Sequence, residues 1–517
     1  MKANTLTKCL CIYLLFAVNT LVCGQSKAFD DLLTVNLKNM GPIVENEEVR
    51  GYYMFYKTDN IDRKTVAYQL RILDQNLNEV GTQKITGSKY LSLLEGTFNG
   101  KSIMMKLYHV KDKTVIFHQY DTKGKLISKT SQEVESKYDV SNYYQGVVNN
   151  TGIPNQLHAI PNMGFVNYST ADQRKIGYAI EFFPEEGHKA WTFRSPSDSK
   201  EIEGASMATI TPEMLISMVL KKSSIFSKDA TPYIMGLELS SGKKLFEKKL
   251  EGNKYSLKVL NSYYDEDSKG TVLFGEYHDL DDKMFKSNSL GMFTLSMDHE
   301  GNFTSERYIS WTQDVSKFLP INHKGKIDDM GYLYFHSIRK NADGSIYAIA
   351  EQYRKAADGV GIAVAALGGG ASVAKIVVGD MVFFEFEPDF TLKNVKFFEK
   401  DSRSVTLPPG YGMVNTILLG HYVKSIGGFD YIFSQMSKDH KTLTSGYLNY
   451  EKRKGEKNGF TFGAISNTNN EYYVDKLKLN TESDRISVVK AKHGYVLVSE
   501  YYAKDKKLDM RLEKLNY

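Results

Sequence analysis

Asp265, Asp267, Gly270 and Glu276 stand at the first, third, sixth and twelfth places of a calcium-loop register, in which carboxylate oxygens wrap a hard cation. The fifth place is Lys269, whose ammonium repels a cation. The flanks, Tyr263-Tyr264 and Val272-Leu273-Phe274, read as strands where a calcium loop has helices. The expectation is a polar β-turn. Asp279, Asp281 and Asp282 form a second acidic cluster. It reads as a solvated loop, with an oxygen-ligated Ca²⁺ as the alternative.

Other chemistry-bearing residues lack the required spacing. The 11 histidines are scattered, with no His-Glu-x-x-His and no metal-binding pair on one helix. His109, His118 and His336 fall within strand patterns and are expected on a sheet surface or in its core. No Gly-x-Ser-x-Gly turn presents a nucleophile. The glycines at 359, 361 and 368–370 lack the Gly-Lys-Ser/Thr of a phosphate loop. No catalytic residue is assigned, and neither cofactor nor metal is expected. Acids drawn from separate repeats would leave no local spacing, so a hydrolase acting on glycans or peptides stays open. Tyrosine doublets at 52–53, 143–144, 263–264, 472–473 and 501–502 are expected in strands, one ring to each side. An aromatic platform for a sugar or peptide is their alternative.

All 3 cysteines, Cys9, Cys11 and Cys23, lie near the N-terminus. Lys2 and Lys8 precede an apolar run from Cys9 to Val22, broken only by Asn19 and Thr20. Val22 and Gly24 are small enough for the −3 and −1 sites of a signal peptidase, which places cleavage between Gly24 and Gln25. Residues 1–24 thus read as a signal peptide, and 25–517 as a single exported domain free of cysteine and disulfides. Lipidation at Cys23 is the minority alternative, disfavoured because Val22 stands directly before it, where that pathway takes Gly, Ala or Ser. Loss of Lys2 and Lys8 lowers the formal charge from +5 to +3. Acids and bases alternate throughout, which argues against a nucleic-acid stripe or a polybasic membrane patch. The mature chain has no run long and apolar enough to span a bilayer.

The elements that must position any site are strands. With 34 Tyr and 27 Phe against 11 Pro, the composition suits pleated sheet. Short alternating runs such as Val66–Leu73 and Val115–Tyr120 follow one another, and helical patterns are confined to Thr211–Met218 and Asp314–Leu319. A strand, an acidic or small turn, then Gly or Asn, recurs at Asn78, Gly124, Gly187, Gly242 and Gly301. Looser copies sit near Asp389 and Gly455. The first five are 46, 63, 55 and 59 residues apart, the period of a four-stranded blade. The expectation is an all-β propeller of seven or eight four-stranded blades, with two β-sandwich domains as the alternative. Three C-terminal strands are expected to close the ring with an N-terminal strand around Leu32–Leu37.

The next copy comes 88 residues on, a gap that holds an insertion at 355–378. Within it, Gly359 to Ala374 carries no charge. The expectation is a loop, or a small helix ending at Gly368, packed on the propeller face. An apolar flap that docks a partner, covers a pocket or touches a membrane is the functional alternative.

Gly41-Pro42-Ile43, Gly51-Tyr52-Tyr53-Met54-Phe55-Tyr56 and Leu73-Asp74-Gln75-Asn76-Leu77 resemble a family of uncharacterised exported proteins of Bacteroidota. The resemblance runs along most of the mature chain and implies export. Its motifs are turns and strands, so it brings no catalytic residues. The C-terminus, Leu512 to Tyr517, reads as a closing strand and does not look like an appended sorting domain, which favours the periplasm over the outer surface. These readings lead to a non-enzymatic exported propeller that binds or scaffolds a cell-envelope protein or glycan. A hydrolase and a carbohydrate-binding protein are the alternatives.

Overall fold

A computed structural model describes residues 25–516, apart from 31, 34, 35, 46, 149–154, 225–229, 253, 281, 283–286, 328–329, 368–370, 452–458 and 480–481. The cysteines, Gly24, Asp281, Gly368 to Gly370 and Gly455 lie outside the described residues.

Eight antiparallel meanders follow one another around a ring. Blades 1 to 7 occupy residues 40–88, 91–133, 157–194, 202–249, 255–310, 332–398 and 431–478. Blade 8 takes three strands from the C-terminus, Arg485–Lys490, Tyr495–Tyr502 and Lys507–Lys514. Its fourth is Ser26–Phe29, which pairs with the last strand from Ser26 opposite Arg511 to Phe29 opposite Leu508. Ring closure is therefore as expected, but by an earlier segment than Leu32–Leu37. Leu32 is buried without being in a strand, and Leu37 opens a 3₁₀ turn, Leu37–Asn39. Blade 6 gains a fifth strand, Arg403–Thr406.

The core is distributed. Each of the eight blade interfaces encloses an apolar cluster, such as Ile216, Phe293 and Leu295 between blades 4 and 5. Between blades 8 and 1 the cluster includes Phe29, Leu32, Leu77 and Leu508. A sheet whose strands alternate must bury both faces this way, each against a neighbouring sheet.

The recurring turn joins the third and fourth strands. In blades 1, 2 and 5 the Asp carboxylate accepts two turn amides. Asp74 Oδ1 accepts from Asn76 and Asn78 at 2.8 and 2.9 Å, and Asp298 Oδ1 accepts from Glu300 and Asn302 at 2.9 and 2.8 Å. The left-handed residue is Gly124 or Gly301 where glycine is present. In blade 1 it is Leu77 at φ 64°, not Asn78, and in blade 6 it is Phe390 at φ 64°. The matching turn of blade 7 is Asn469-Asn470, so the repeat does not fall at Gly455.

Among the described residues three helices depart from the strand pattern: α1 (Lys137–Val148), α2 (Gly359–Ala366) and α3 (Thr416–Ser425). The doublet Tyr143-Tyr144 lies on α1, not in a strand. The expected helix at Thr211–Met218 is instead the strand Met214–Lys222, whose β-branched and apolar run is buried on both faces. Near Asp314–Leu319 only the 3₁₀ turn Val315–Lys317 forms.

Candidate functional site

In a four-stranded meander the first and third turns fall at one end. The second turn and the link to the next blade fall at the other. The first end, the hairpin face, carries the tight Asp-bearing turns. The second, the loop face, carries α1 between blades 2 and 3, residues 311–331 between blades 5 and 6, and α2 within blade 6. Arg403–Thr406 and α3, between blades 6 and 7, also lie there. Blade 6 thus supports a platform. Tyr353, Ile376, Leu407, Leu419, Val423 and Phe429 form its own apolar core. Gly420 lets α3 sit close, because a Cβ there would stand 2.6 Å from the Tyr353 ring.

Beneath the platform lies a buried ionic network. Glu351, on the second strand of blade 6, has Oε2 3.3 Å from His336 Nε2 and Oε1 3.1 Å from Lys400 Nζ. The backbone N–H groups of Asp430 and Tyr431 also donate to it, at 3.1–3.2 Å. Lys400 Nζ is 2.6 Å from Asp430 Oδ2, and Arg403 Nε is 2.9 Å from Asp430 Oδ1. Lys424 of α3 approaches His336 Nδ1 at 3.2 Å. The His336 ring stacks on Tyr431 with centroids 4.5 Å apart.

The electrostatics make this network a clamp. Burial drives the His336 pKa down to about 4, against the opposing pull of Glu351, so the imidazole is neutral. Burial alone would raise the Glu351 carboxyl. Its hydrogen bond to His336 and the Lys400 charge outweigh that and hold it below the usual range. A neutral histidine beside an ionised glutamate is a pairing that could move protons. Here the side chains of His336, Glu351 and Lys400 are 0% exposed, and the carboxylate is occupied by structural donors. Burial likewise lowers Lys424.

Two smaller clusters repeat the theme. Lys106 Nζ contacts Gln156 Oε1 and Asn167 Oδ1 at 2.7 and 2.8 Å, with Glu95 3.6 Å away. It borders a cavity of about 70 Å³ below α1, room for a few waters. Lys258 pairs with Glu276 at 2.9 Å next to a cavity of about 20 Å³ under His421 of α3, about one water.

This pairing dismantles the calcium register. Asp265 and Asp267 both grip Lys340 Nζ at 2.6 Å, while Glu276 lies along the strand with Lys258. His109 and His118 are sheet residues, His118 Nδ1 lying 2.8 Å from the Tyr120 hydroxyl. Of the doublets, Tyr52-Tyr53 is buried in blade 1. Among the described residues the large exposed tyrosines, Tyr90, Tyr138, Tyr144 and Tyr473, sit on separate blades or on different sides of α1. A groove of about 490 Å³ on the hairpin face, between blades 5 and 6, gathers Asp265, Asp298, Glu306 and Asp389. Asp389 is 3.0 Å from Arg307. Asp265, Asp298 and Asp389 are all held below the usual carboxylate range, despite the desolvation of Asp265 and Asp298, by ion pairs and turn amides. None of these three is poised to donate a proton.

Residues 1–516 match a family of unknown function, DUF6770. The chain belongs to this family. No curated protein matches it. Among solved structures, this DUF6770 propeller is similar to the WD40 domain of SCAP from fission yeast. The identity is 10%, over 95% of this chain and 99% of that one, with a TM-score of 0.38. Prolyl oligopeptidase B from Galerina marginata aligns at 8% identity over 93% of this chain and 56% of that one, with a TM-score of 0.41. The polysaccharide lyase Uly1 aligns at 9% identity over 82% and 90%, with a TM-score of 0.37.

The platform residues were not singled out from sequence. His336 falls in a strand as its sequence pattern predicts, and Glu351, Lys400 and Asp430 have no local spacing to mark them. The uncharged run within 355–378 holds the expected small helix, but it ends at Ala366 and is not packed on the propeller. It is α2 at the tip of a long hairpin whose strands reach Ala357 and restart at Ala374. Its large side chains Val360, Ile362 and Val364 are exposed, not packed on the propeller.

Proposed function

We propose that this chain is an exported, non-enzymatic β-propeller that binds or scaffolds a component of the cell envelope through its loop face, with the hairpin at 355–378 as the principal contact. One observation carries this reading. The helices and long connections emerge on a single face, and among the described residues the most exposed large apolar side chains, Met413, Leu367 and Val360, are on that face. Exposed apolar groups gathered on one surface mark an interaction site. The closed state of the His336–Glu351 network and the ionised aspartates of the groove favour binding over catalysis. Export rests on the leader-like residues 1–24 and the cysteine-free chain that follows.

Two experiments test it. N-terminal sequencing of the protein from its source cells is expected to begin at Gln25; a start at a lipidated Cys23 would replace the soluble reading with an anchored one. Crosslinking followed by envelope fractionation is expected to recover the chain with the envelope. Replacing 359–371 by a short Gly-Ser turn should abolish that recovery with Tm unchanged. Equal recovery would remove the hairpin from the reading.

A glycan-binding role keeps one observation in its favour. The hairpin-face groove combines the hydroxyls of Thr294, Ser296, Thr304 and Ser305 with acids and Tyr263, a lining suited to sugar hydroxyls. A thermal-shift screen against envelope glycans checks it, since a bound ligand raises Tm.

A further inference from the structure

Helix α2 has no polar face. Its sequence, Gly-Val-Gly-Ile-Ala-Val-Ala-Ala, contains no polar side chain, and Leu367 follows directly. Val360, Val364 and Leu367 share one side at i, i+4 and i+7, and Ile362 points to the other. All four are exposed, Leu367 at 89% and Val360 at 75%. Beside them stand Val373 and, at 94% exposure, Met413. The two segments touch, because a Cβ on Gly412 would lie 3.1 Å from Val373 Cγ2. The segments next to the tip, 354–358 and 374–378, bear exposed Arg354 and half-buried Lys355 and Lys375, against a single acid, Asp358; Glu351, Asp380 and Glu385 lie deeper along the same strands.

The distribution of these side chains selects the occupant. A helix that docks in a protein groove offers one apolar stripe and keeps its other face polar. An exposed helix that is apolar on opposite sides calls for an apolar medium on both sides, and the interior of a lipid leaflet supplies it. Eight residues span about 12 Å, less than half of a hydrocarbon core of about 30 Å, so the tip enters one leaflet and does not cross. The basic residues below it then sit at headgroup depth, where long cationic side chains are favoured next to anionic lipid.

We propose that the tip formed by α2, Leu367, Val373 and Met413 inserts into the headgroup–acyl boundary of a lipid bilayer. This deepens the loop-face reading above and rests on it. A short wedge of this kind gives reversible attachment.

Flotation of residues 25–517 with protein-free vesicles of phosphatidylethanolamine and phosphatidylglycerol tests the proposal. The chain is expected to rise with the vesicles. The double variant Leu367→Asp, Met413→Asp should lower the bound fraction roughly tenfold or more, the worth of apolar side chains left in water. Its Tm should not move, since both side chains are exposed. Leu367→Trp should show a blue shift in emission on adding vesicles, above the background of Trp191 and Trp311. Absence of flotation, flotation of the Asp variant equal to that of the parent, or an unmoved Trp emission would each overturn the proposal. If envelope recovery depends on α2 while bare vesicles fail, the partner is a protein; the lipid inference falls and the loop-face reading stands. If envelope recovery itself fails, the loop-face reading falls first.

Discussion

Glu351→Ala would leave Lys400 without one of its two carboxylates and His336 without its partner, in a site closed to water. Breaking a buried pair from one side costs about 3–5 kcal/mol, because the remaining charge stays desolvated. Denaturant unfolding is expected to show a loss of this size, and Glu351→Gln a smaller one, since the amide oxygen still accepts hydrogen bonds. The same residues set the pH response. In the unfolded chain His336 titrates near 6.5, while in the fold burial holds it at about 4. His118, His158 and His421 are lowered to about 4 as well, again chiefly by burial. Between these values the unfolded chain binds protons that the ring refuses. Stability is therefore intact above about pH 6.5 and is lost progressively as pH falls toward about 4. The fully buried His336 accounts for roughly 3 kcal/mol of that loss. Thermal melts across the window check this, and a flat Tm would contradict it. The strand positions of His118 and His336 were legible in sequence; the network around His336 was not. His336 and Glu351 meet through the pairing of the first two strands of blade 6, and Lys400 and Asp430 reach them from the two ends of the long link to blade 7.

The elements divide by how local their causes are. The Asp-bearing turns could be read directly, because an Asp carboxylate reaches its own downstream amides and glycine takes the left-handed position without neighbours. Asp121→Ala removes the acceptor for Lys123 and Lys125 N–H, held at 2.9 and 2.8 Å. A loss of about 1 kcal/mol is expected by urea unfolding, the usual net worth of such hydrogen bonds. Leu77 shows where local reading stops. Its positive φ is tolerated because its side chain is anchored in the apolar cluster between blades 8 and 1. Helix α1 is likewise set by its contacts. Tyr143 reaches Gln156 Oε1 at 2.7 Å, and Asp139 accepts from the Thr170 N–H at 2.8 Å. A tyrosine doublet alone gave no sign of that docking, and read as strand. The strand Met214–Lys222 failed in the opposite direction, since a run buried on both faces lacks the alternation that separates strand from helix.

At the scale of the whole molecule, the turn period led to a propeller of seven or eight blades, of which the structure has eight, and closure of the ring followed from the three strands left at the C-terminus. The position of the closing strand did not follow, because Leu32 and Phe29 are buried in the same cluster and apolar pattern alone does not separate strand from linker. Removing residues 25–30 is expected to expose the edge of Lys507–Lys514 and lower Tm by several degrees. Size-exclusion chromatography should then show edge-to-edge association, and a monomer of unchanged Tm would contradict it. The closing ladder has a mechanical consequence. Ser26–Phe29 and Lys507–Lys514 run antiparallel, and Leu512 N–H donates to Gln25 O at 2.9 Å, so the N-terminal end of the one and the C-terminal end of the other lie side by side. A load pulling those ends apart meets the hydrogen bonds one at a time, as a zipper and not in shear. The ring then has a built-in weak seam that opens under tension ahead of the blades themselves.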